Sequence, residues 1–241
     1  MLLMRSNRVL PYRHANEDQS ATVVQKAGRV HPITQLLFLR SLDAARYDCA
    51  APINYTFGVG MPTFLALLRG VNVGKAKRVP MARFRTLLGE LGYTDVTTLL
   101  NSGNAVFRAT QGTPAKLAAD IASAIETKLK VEVPVIVKSA KELSAIVSEN
   151  ELLEGVQDHS RLLVAFVQDP KALTELAAIE PLVTLSEQFL VGKGAAYLHC
   201  ATGILESKAG EALLGKAGKE ATTRNWATVL KLQALANEPE A

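Results

Sequence analysis

Cationic residues and glycines directly follow an apolar run near the middle of the chain. The run ends at Leu68, and the next ten positions contain Arg69, Gly70, Asn72, Gly74, Lys75, Lys77 and Arg78. Glycines let backbone N–H groups point toward a ligand, and Lys and Arg side chains supply positive charge. The pattern therefore indicates a loop that binds an anion such as a phosphate group. The same residues also allow a glycine-rich turn with a solvated basic surface.

This loop does not have the spacing of a P-loop. A P-loop needs four residues between its first Gly and the Gly-Lys pair, which is then followed by Ser or Thr. Here three residues separate Gly70 from Gly74-Lys75, and Ala76 follows. The sequence therefore supports a general anion site without a P-loop signature.

A second polar turn occupies residues 101–104, with the sequence Asn-Ser-Gly-Asn. A hairpin turn that uses Gly and Asn at positive φ accounts for Gly103 and for one of the asparagines. Ser102 and Asn101 still carry groups that can donate to a ligand. In a β-α-β-β-α-β unit this turn need not lie at the same end of the sheet as the basic loop, so a shared site does not follow from the sequence.

A third polar cluster precedes the last predicted helix. Gly215-Lys-Ala-Gly-Lys219 is followed by Thr222 or Thr223 as a helix cap, with Arg224 in the first turn. A helix N-terminus attracts anions, and a cation there is unfavourable unless something anionic or functional holds it. Ordinary capping beside a loop of solvated lysines is the alternative. Trp226, the only tryptophan, is predicted to anchor the core.

Other chemical signatures are missing from the sequence. The four histidines show no metal-ligand spacing, and no GxSxG, HExxH or paired-acid motif occurs. We therefore expect no metal and no cofactor. Cys49 and Cys200 form no CxxC motif, which fits a reducing cytoplasm. No apolar run approaches the roughly 18 residues of a membrane span, so we expect no membrane partner.

The charge balance argues against a long-range nucleic-acid field over the body of the protein. The net charge is +4, but residues 1–60 hold seven Lys/Arg and four Asp/Glu, so the remaining residues carry only +1. Residues 69–85 are a local exception, because they contain six Lys/Arg and no acidic residue. Weak nucleic-acid binding therefore stays open at this segment.

The apolar periodicity predicts an α+β protein made of two ferredoxin-like α/β sandwich halves. Residues 61–150 are predicted to form β-α-β-β-α-β, with helices that open at Pro80 and at Thr113-Pro114. Residues 151–241 are predicted to form β-α-β-β-α. This second half ends in a helix through Ala236, where a fourth strand would be expected. Only the order of elements, and no residue-level repeat, supports a duplication.

Residues 1–60 differ from the rest of the chain. Their periodicity is weak, their polar clusters are frequent, and their one apolar run, residues 36–39, is short. They fit either a disordered N-terminal extension, such as a targeting or regulatory arm, or sequence upstream of a true start at Met61. We favour the second interpretation, because Met61 leads directly into a clean strand.

Several separated motifs resemble those of the family called domain of unknown function 1697. In chain order they are Leu68-Arg-Gly-Val-Asn-Val-Gly74, Pro80-Met81, Ser102-Gly-Asn104, Gly203-Ile204 with Ser207-Lys208, and Thr223-Arg-Asn-Trp226 with Thr228-Val229. The resemblance covers about Met61 to Ala236. It implies a small bacterial α+β protein of two ferredoxin-like halves, and it implies no established activity.

Our leading hypothesis is a cytoplasmic protein that binds a phosphate-bearing or other anionic small molecule. Its proposed site contains the cations and small polar residues of the three clusters, with Lys208 added from the family motifs. In full, the proposed ligand-binding residues are Arg69, Gly70, Asn72, Gly74, Lys75, Lys77, Arg78, Ser102, Asn104, Lys208, Arg224 and Asn225.

Three other hypotheses stay open. One is an enzyme, a hydrolase or transferase, that uses Ser102, Asn104 and Arg224, although the sequence offers no convincing base for Ser102. Another is weak nucleic-acid binding through residues 69–85, which would be salt-dependent. The last is a structural role in which Arg69, Asn72 and Arg224 tie the two halves together. The sequence does not indicate an oligomeric state.

Overall fold

The computed structural model describes residues 60–73 and 77–239. The prediction for residues 1–60 therefore falls, except for Gly60, outside the described part of the chain. Two residues of the predicted anion loop, Gly74 and Lys75, also lie outside it. Among the described helices, none combines the length and apolar character needed to cross a membrane.

The first half of the described chain forms a four-stranded antiparallel sheet with three helices. In chain order the elements are β1 (Thr63–Leu68), α1 (Met81–Glu90), β2 (Thr94–Leu99), β3 (Asn104–Arg108), α2 (Pro114–Leu129), β4 (Val135–Ser139) and α3 (Ala140–Ser148). The strand order across the sheet is β2-β3-β1-β4. This is the split βαβ arrangement that the predicted β-α-β-β-α-β order implies.

The second half repeats this topology. Its elements are β5 (Leu162–Val167), α4 (Ala172–Leu176), β6 (Gln188–Val191), β7 (Ala195–His199), α5 (Lys208–Leu214), β8 (Ala221–Asn225) and α6 (Trp226–Ala236). Three short 3-10 helices lie at Glu151–Leu153, Ala177–Leu182 and Ile204–Glu206. The sheet order β6-β7-β5-β8 matches that of the first sheet strand for strand. The α+β class predicted from the sequence is confirmed.

The predicted absence of a fourth strand in the second half is wrong. Residues Ala221–Asn225 form β8, an edge strand paired with β5, and the last helix starts only at Trp226. The N-cap of this helix is Asn225 and not a threonine. The side-chain oxygen of Asn225 accepts a hydrogen bond from the backbone N–H of Thr228. The segment Ala-Thr-Thr-Arg-Asn has almost no apolar side chain, so it lacks the hydrophobic pattern that marks a strand. The one sequence signal for a strand here is its pair of threonines, because β-branched residues favour strands.

The two halves are equivalent in register as well as in element order. Leu65 of β1 pairs with Lys138 of β4, and Val164 of β5 pairs with Arg224 of β8 at the matching position. In both halves the fourth strand ends on the residue that caps the following helix, which is Ser139 in the first half. Lys138 and Arg224 therefore occupy corresponding buried positions.

Three apolar clusters divide the core into layers. The first lies between the first sheet and α1 and α2, and the third lies between the second sheet and α4 and α5. The middle cluster contains residues of both sheets and of α3 and α6. Trp226 is buried in this middle cluster, which confirms it as a core anchor. The apolar residues of α3 and α6 thus form part of one core that both sheets share.

A carboxylate at the end of α3 connects the first half to the β6–β7 turn of the second. Glu149 accepts hydrogen bonds from the backbone N–H groups of Lys193 and Gly194, each at 3.0 Å. The hydroxyl of Tyr197 lies 2.8 Å from the same carboxylate and 2.6 Å from the carbonyl oxygen of Ile146. Burial, followed by this carboxylate, raises the pKa of Tyr197. Glu149 is therefore a polar link between the halves.

Replacing Glu149 with Ala should lower the free energy of unfolding by about 1–3 kcal/mol, because it removes the acceptor shared by two turn N–H groups and the hydroxyl of the buried Tyr197. Urea unfolding measures the change. The control is Tyr197→Phe, which removes one hydroxyl and keeps the ring, and should cost about 1 kcal/mol. If Glu149→Ala costs no more than the control, Glu149 is not a significant link.

Candidate functional site

Arg224 of β8 is a buried cation that reaches from the second half into the first. Its Nη2 donates to the carbonyl oxygens of Leu68 at 2.8 Å, Ser102 at 3.1 Å and Gly103 at 3.3 Å, and its Nε donates to the side-chain oxygen of Asn104. Its Nη1 donates within β8 to the hydroxyl of Thr222 and the carbonyl of Thr223. All three guanidinium nitrogens are therefore committed to neutral acceptors.

The charge of Arg224 has no carboxylate partner among the described residues. The residue is 8% exposed, and burial lowers the pKa of its guanidinium to about 10. Carbonyl dipoles satisfy its hydrogen bonds but carry no net negative charge. The fold thus holds an uncompensated positive charge at the junction of its halves.

A cleft of about 480 Å³ lies beside Arg224 and is lined by residues of both halves. The first half contributes the end of β1, the loop after it, Ser102 and Pro134, and the second half contributes the end of α5 and β8. Three of its lining side chains are cationic, namely those of Arg69, Lys77 and Arg224, and no described acidic side chain lines it. The cleft therefore has a positive potential.

Arg69 and Lys77 bring the other two charges to the cleft from the loop after β1. Arg69 is half-buried, and its backbone N–H donates to the carbonyl of Pro134 at 3.0 Å. Its Nη1 donates to the carbonyl of Lys219 in the second half, which leaves its other N–H groups for a ligand. Lys77 is exposed, and no described carboxylate pairs with it. Among the described lining residues, these two are the cations whose side chains still have N–H groups left for a ligand.

Asn72 shapes this loop with its side chain. Its Nδ2 donates to the carbonyls of Val79 at 3.0 Å and Asn101 at 2.6 Å, and its Oδ1 accepts from the backbone N–H of Val79 at 3.0 Å. Asn72 and Arg78 line a separate, smaller pocket of about 340 Å³. The structure therefore does not bring these two predicted ligands into the cleft.

The turn after β2 contributes one wall of the cleft. Asn104 is fully buried, and its Nδ2 donates to the carbonyl of Leu99 and to the hydroxyl of Ser102, both at 2.9 Å. With its Oδ1 held by Arg224, Asn104 is a structural residue. Ser102 is exposed and lines the cleft. In the described part of the chain, neither a histidine nor a carboxylate hydrogen-bonds to its hydroxyl, so the structure adds no general base for it.

The remaining predicted ligands are distributed as follows. Gly70 lines the cleft at a φ of 64°, and a Cβ placed on it would meet no atom within 4 Å. Asn225 is committed to capping α6, with its Oδ1 also 2.6 Å from the hydroxyl of Thr228. Lys208 is exposed at the start of α5 and does not line the cleft.

The sequence did not point to the second-half wall of the cleft. Leu213 and Leu214 end α5, and Thr222 and Thr223 belong to β8. The sequence predicts Thr222 or Thr223 as a helix cap and gives the two leucines no part in a site. The family resemblance rests on motifs that include both the basic loop and Thr223-Arg224. It was the one sequence signal that linked this wall to the loop.

The basic character of the cleft does not follow from the fold alone. Arg69 is the first residue after β1, and Gln168 takes the corresponding place after β5. The pocket at that second position, of about 280 Å³, is lined by Gln168, by the acidic residues Asp169, Glu175 and Glu220, and by one cation, Lys171. The repeated framework thus carries a mostly acidic lining at the place where the first half carries cations.

These features define a class of protein, a duplicated α+β fold with a basic cleft between its halves. The chain belongs to the family described as protein of unknown function (DUF1697), whose model matches residues 61–197. The resemblance drawn from the sequence motifs is therefore confirmed.

A solved structure shares this fold. It is the structure of the conserved bacterial protein SP0830 from Streptococcus pneumoniae, with 22% sequence identity and a TM-score of 0.64. The similarity covers 74% of this chain and 100% of that one. Among curated proteins, none matches the chain.

Proposed function

We propose that this protein binds an anionic small molecule in the cleft between its two halves, in the cytoplasm. The observation that carries the proposal is the convergence of Arg69, Lys77 and Arg224 on one cleft that no described acidic side chain lines. Like charges repel each other, so the folded protein gains by placing a counter-charge among them. An anion in the cleft supplies that charge.

The three cations have different roles in this proposal. Arg224 gives a fixed positive charge and holds the cleft walls, because all its nitrogens already bond to the protein. Arg69 and Lys77 supply the hydrogen bonds to the ligand. Gly70 exposes its backbone beside them, in a conformation that favours glycine.

The loss of one direct contact should be measurable. A charge-assisted hydrogen bond contributes about 1.5–3 kcal/mol, which corresponds to a change in Kd of roughly 10-fold to 100-fold. Arg69→Ala and Lys77→Ala should each weaken anion binding by at least about 10-fold. Both residues are solvent-accessible, so neither change should cost more than about 1 kcal/mol of stability.

Isothermal titration calorimetry with inorganic phosphate and pyrophosphate tests this expectation. Lys208→Ala is the matched control, because Lys208 is an exposed cation of the same predicted set that lies outside the cleft. It should leave Kd unchanged. Equal affinity of the Arg69, Lys77 and Lys208 variants would overturn the proposal.

A single-stranded oligonucleotide in the same titration tests the nucleic-acid hypothesis. Binding to nucleic acid would weaken steeply with salt, and it would depend on exposed cations outside the cleft, including Arg83 and Arg85 of α1. Tight oligonucleotide binding that Arg69→Ala does not change would favour that hypothesis over the cleft. The enzyme hypothesis stays a prediction, and Ser102→Ala is its test once a turnover is known.

A further inference from the structure

The cleft that carries the three cations is also lined by aliphatic side chains. Leu213 and Val71 are buried at its inner surface, whereas Val73 and Leu214 keep 74% and 48% of their surface exposed. An exposed valine and an exposed leucine at the rim of one cleft leave apolar surface in water, which a bound apolar group would cover.

The lining also excludes some ligands. Among the described residues that line the cleft, none is aromatic and none carries a side-chain amide or carboxylate. A nucleobase would therefore find no ring to stack on and no amide to bond its edge. The polar side chains present are cations and hydroxyls. The hydroxyl of Thr222 is held by Arg224 and the carbonyl of Leu68, so those of Ser102 and Thr223 are left for an anionic headgroup.

From this lining we infer that the ligand is an amphiphilic anion, an acidic headgroup attached to an aliphatic chain. The inference rests on the proposed anion-binding function and names its ligand class. Arg69 and Lys77 hold the headgroup, and the chain covers Val73 and Leu214. A cleft of about 480 Å³ lies in the size range of small-molecule sites, so a short chain fits inside it.

A series of alkyl phosphates tests the inference. Ethyl, butyl, hexyl and octyl phosphate are titrated by calorimetry below their aggregation concentrations, with inorganic phosphate as the reference. Each buried methylene should tighten Kd by about four-fold until the aliphatic wall is covered. Val73→Ser and Leu214→Ser should flatten this dependence on chain length and leave the affinity for inorganic phosphate unchanged.

The matched control is Leu185→Ser, because Leu185 is fully exposed and lies outside the cleft. It should keep the wild-type dependence on chain length. Both rim residues are exposed enough to replace without unfolding, and circular dichroism checks this point.

The outcomes separate the inference from the function that it rests on. If phosphate binds through Arg69 and Lys77 but Kd does not change along the series, the inference fails and the anion site stands. If neither inorganic phosphate nor any alkyl phosphate binds, both fail.

A free amphiphile and a lipid headgroup share this chemistry, so vesicles of phosphatidic acid in phosphatidylcholine form the last arm. Vesicle binding that depends on Val73 and Leu214 assigns the ligand to a membrane surface. A chain-length gain without vesicle binding assigns it to a soluble molecule.

Discussion

Replacing Arg224 with Met should lower the free energy of unfolding by about 2–5 kcal/mol, because each buried acceptor that loses its donor costs about 1–3 kcal/mol. The change removes the donor to the buried side-chain oxygen of Asn104 and leaves the carbonyl of Leu68 with only the hydroxyl of Thr222 at 3.4 Å, whereas the carbonyl of Gly103 keeps the backbone N–H of Leu68. Buried acceptors without donors lose their hydration and gain nothing in return. Urea unfolding followed by circular dichroism measures the change.

Lys138→Met is the control for this prediction, because Lys138 occupies the corresponding position in the first half. It is 5% exposed, and its only ion pair in the described chain is 3.7 Å long, to Glu142. The side chain of Glu142 is 42% exposed, so water solvates its carboxylate once Lys138 is replaced, and we expect a change within about 1 kcal/mol. Equal losses for the two variants would show that burial of a cation, and not the network of Arg224, determines the cost.

Gly103→Ala should lower the free energy of unfolding by about 2–4 kcal/mol, because it combines backbone strain with overpacking. Gly103 has a φ of 76°, and a Cβ added to it would lie 2.6 Å from the Cβ of Leu68 and 2.7 Å from the Cγ2 of Val71. Its carbonyl also accepts from the backbone N–H of Leu68 at 2.8 Å. The crowded atoms belong to the core, so they have little room to move.

Gly70→Ala isolates the crowding contribution at Gly103. Gly70 has a similar φ of 64° but nothing within 4 Å of an added Cβ, so its substitution should cost only the strain, about 1–2 kcal/mol. Thermal unfolding of the two variants in parallel gives the difference. A cost at Gly103 no larger than at Gly70 would contradict the contact geometry.

Most of the fold could be predicted from the sequence, because its elements carry strong local signals. The strand at Leu162–Val167 is a continuous apolar run, the pattern of a buried strand. Thr113 caps α2, with Pro114 in its first turn, and the capping box of Ser139 and Glu142 opens α3. Local chemistry determines such features, so a single chain shows them.

The strand β8 could not be predicted in this way, because its polar residues match groups in the other half of the fold and carry no local strand pattern. Thr222 and Arg224 face the junction between the halves, where they meet carbonyl groups of the first sheet. Polar residues at these positions remove the alternation of apolar and polar residues that marks a strand. Knowledge of the partner groups, which lie more than 100 residues away, is needed to identify it.

The cations predicted from the sequence include those that line the candidate site, but the sequence did not indicate which polar side chains are used to hold the backbone. The basic loop and Arg224 do meet at one cleft, yet Asn72, Asn104 and Asn225 use their side chains to hold backbone in place. An asparagine that binds a ligand and one that pins a turn have the same residue type and occur in the same kinds of loop. Only the position of the hydrogen-bond partner in the folded protein distinguishes the two kinds of asparagine.

The middle cluster has an evolutionary consequence. Leu65 and Leu67 on one face of β1 pack in this cluster with residues of α6, such as Trp226 and Val229. A polypeptide that stopped at residue 197 would lack both β8 and α6 and would expose that face of β1 to water. One half alone cannot keep a shared interior of this kind covered. We therefore expect the evolutionary loss of either half to unfold the half that remains.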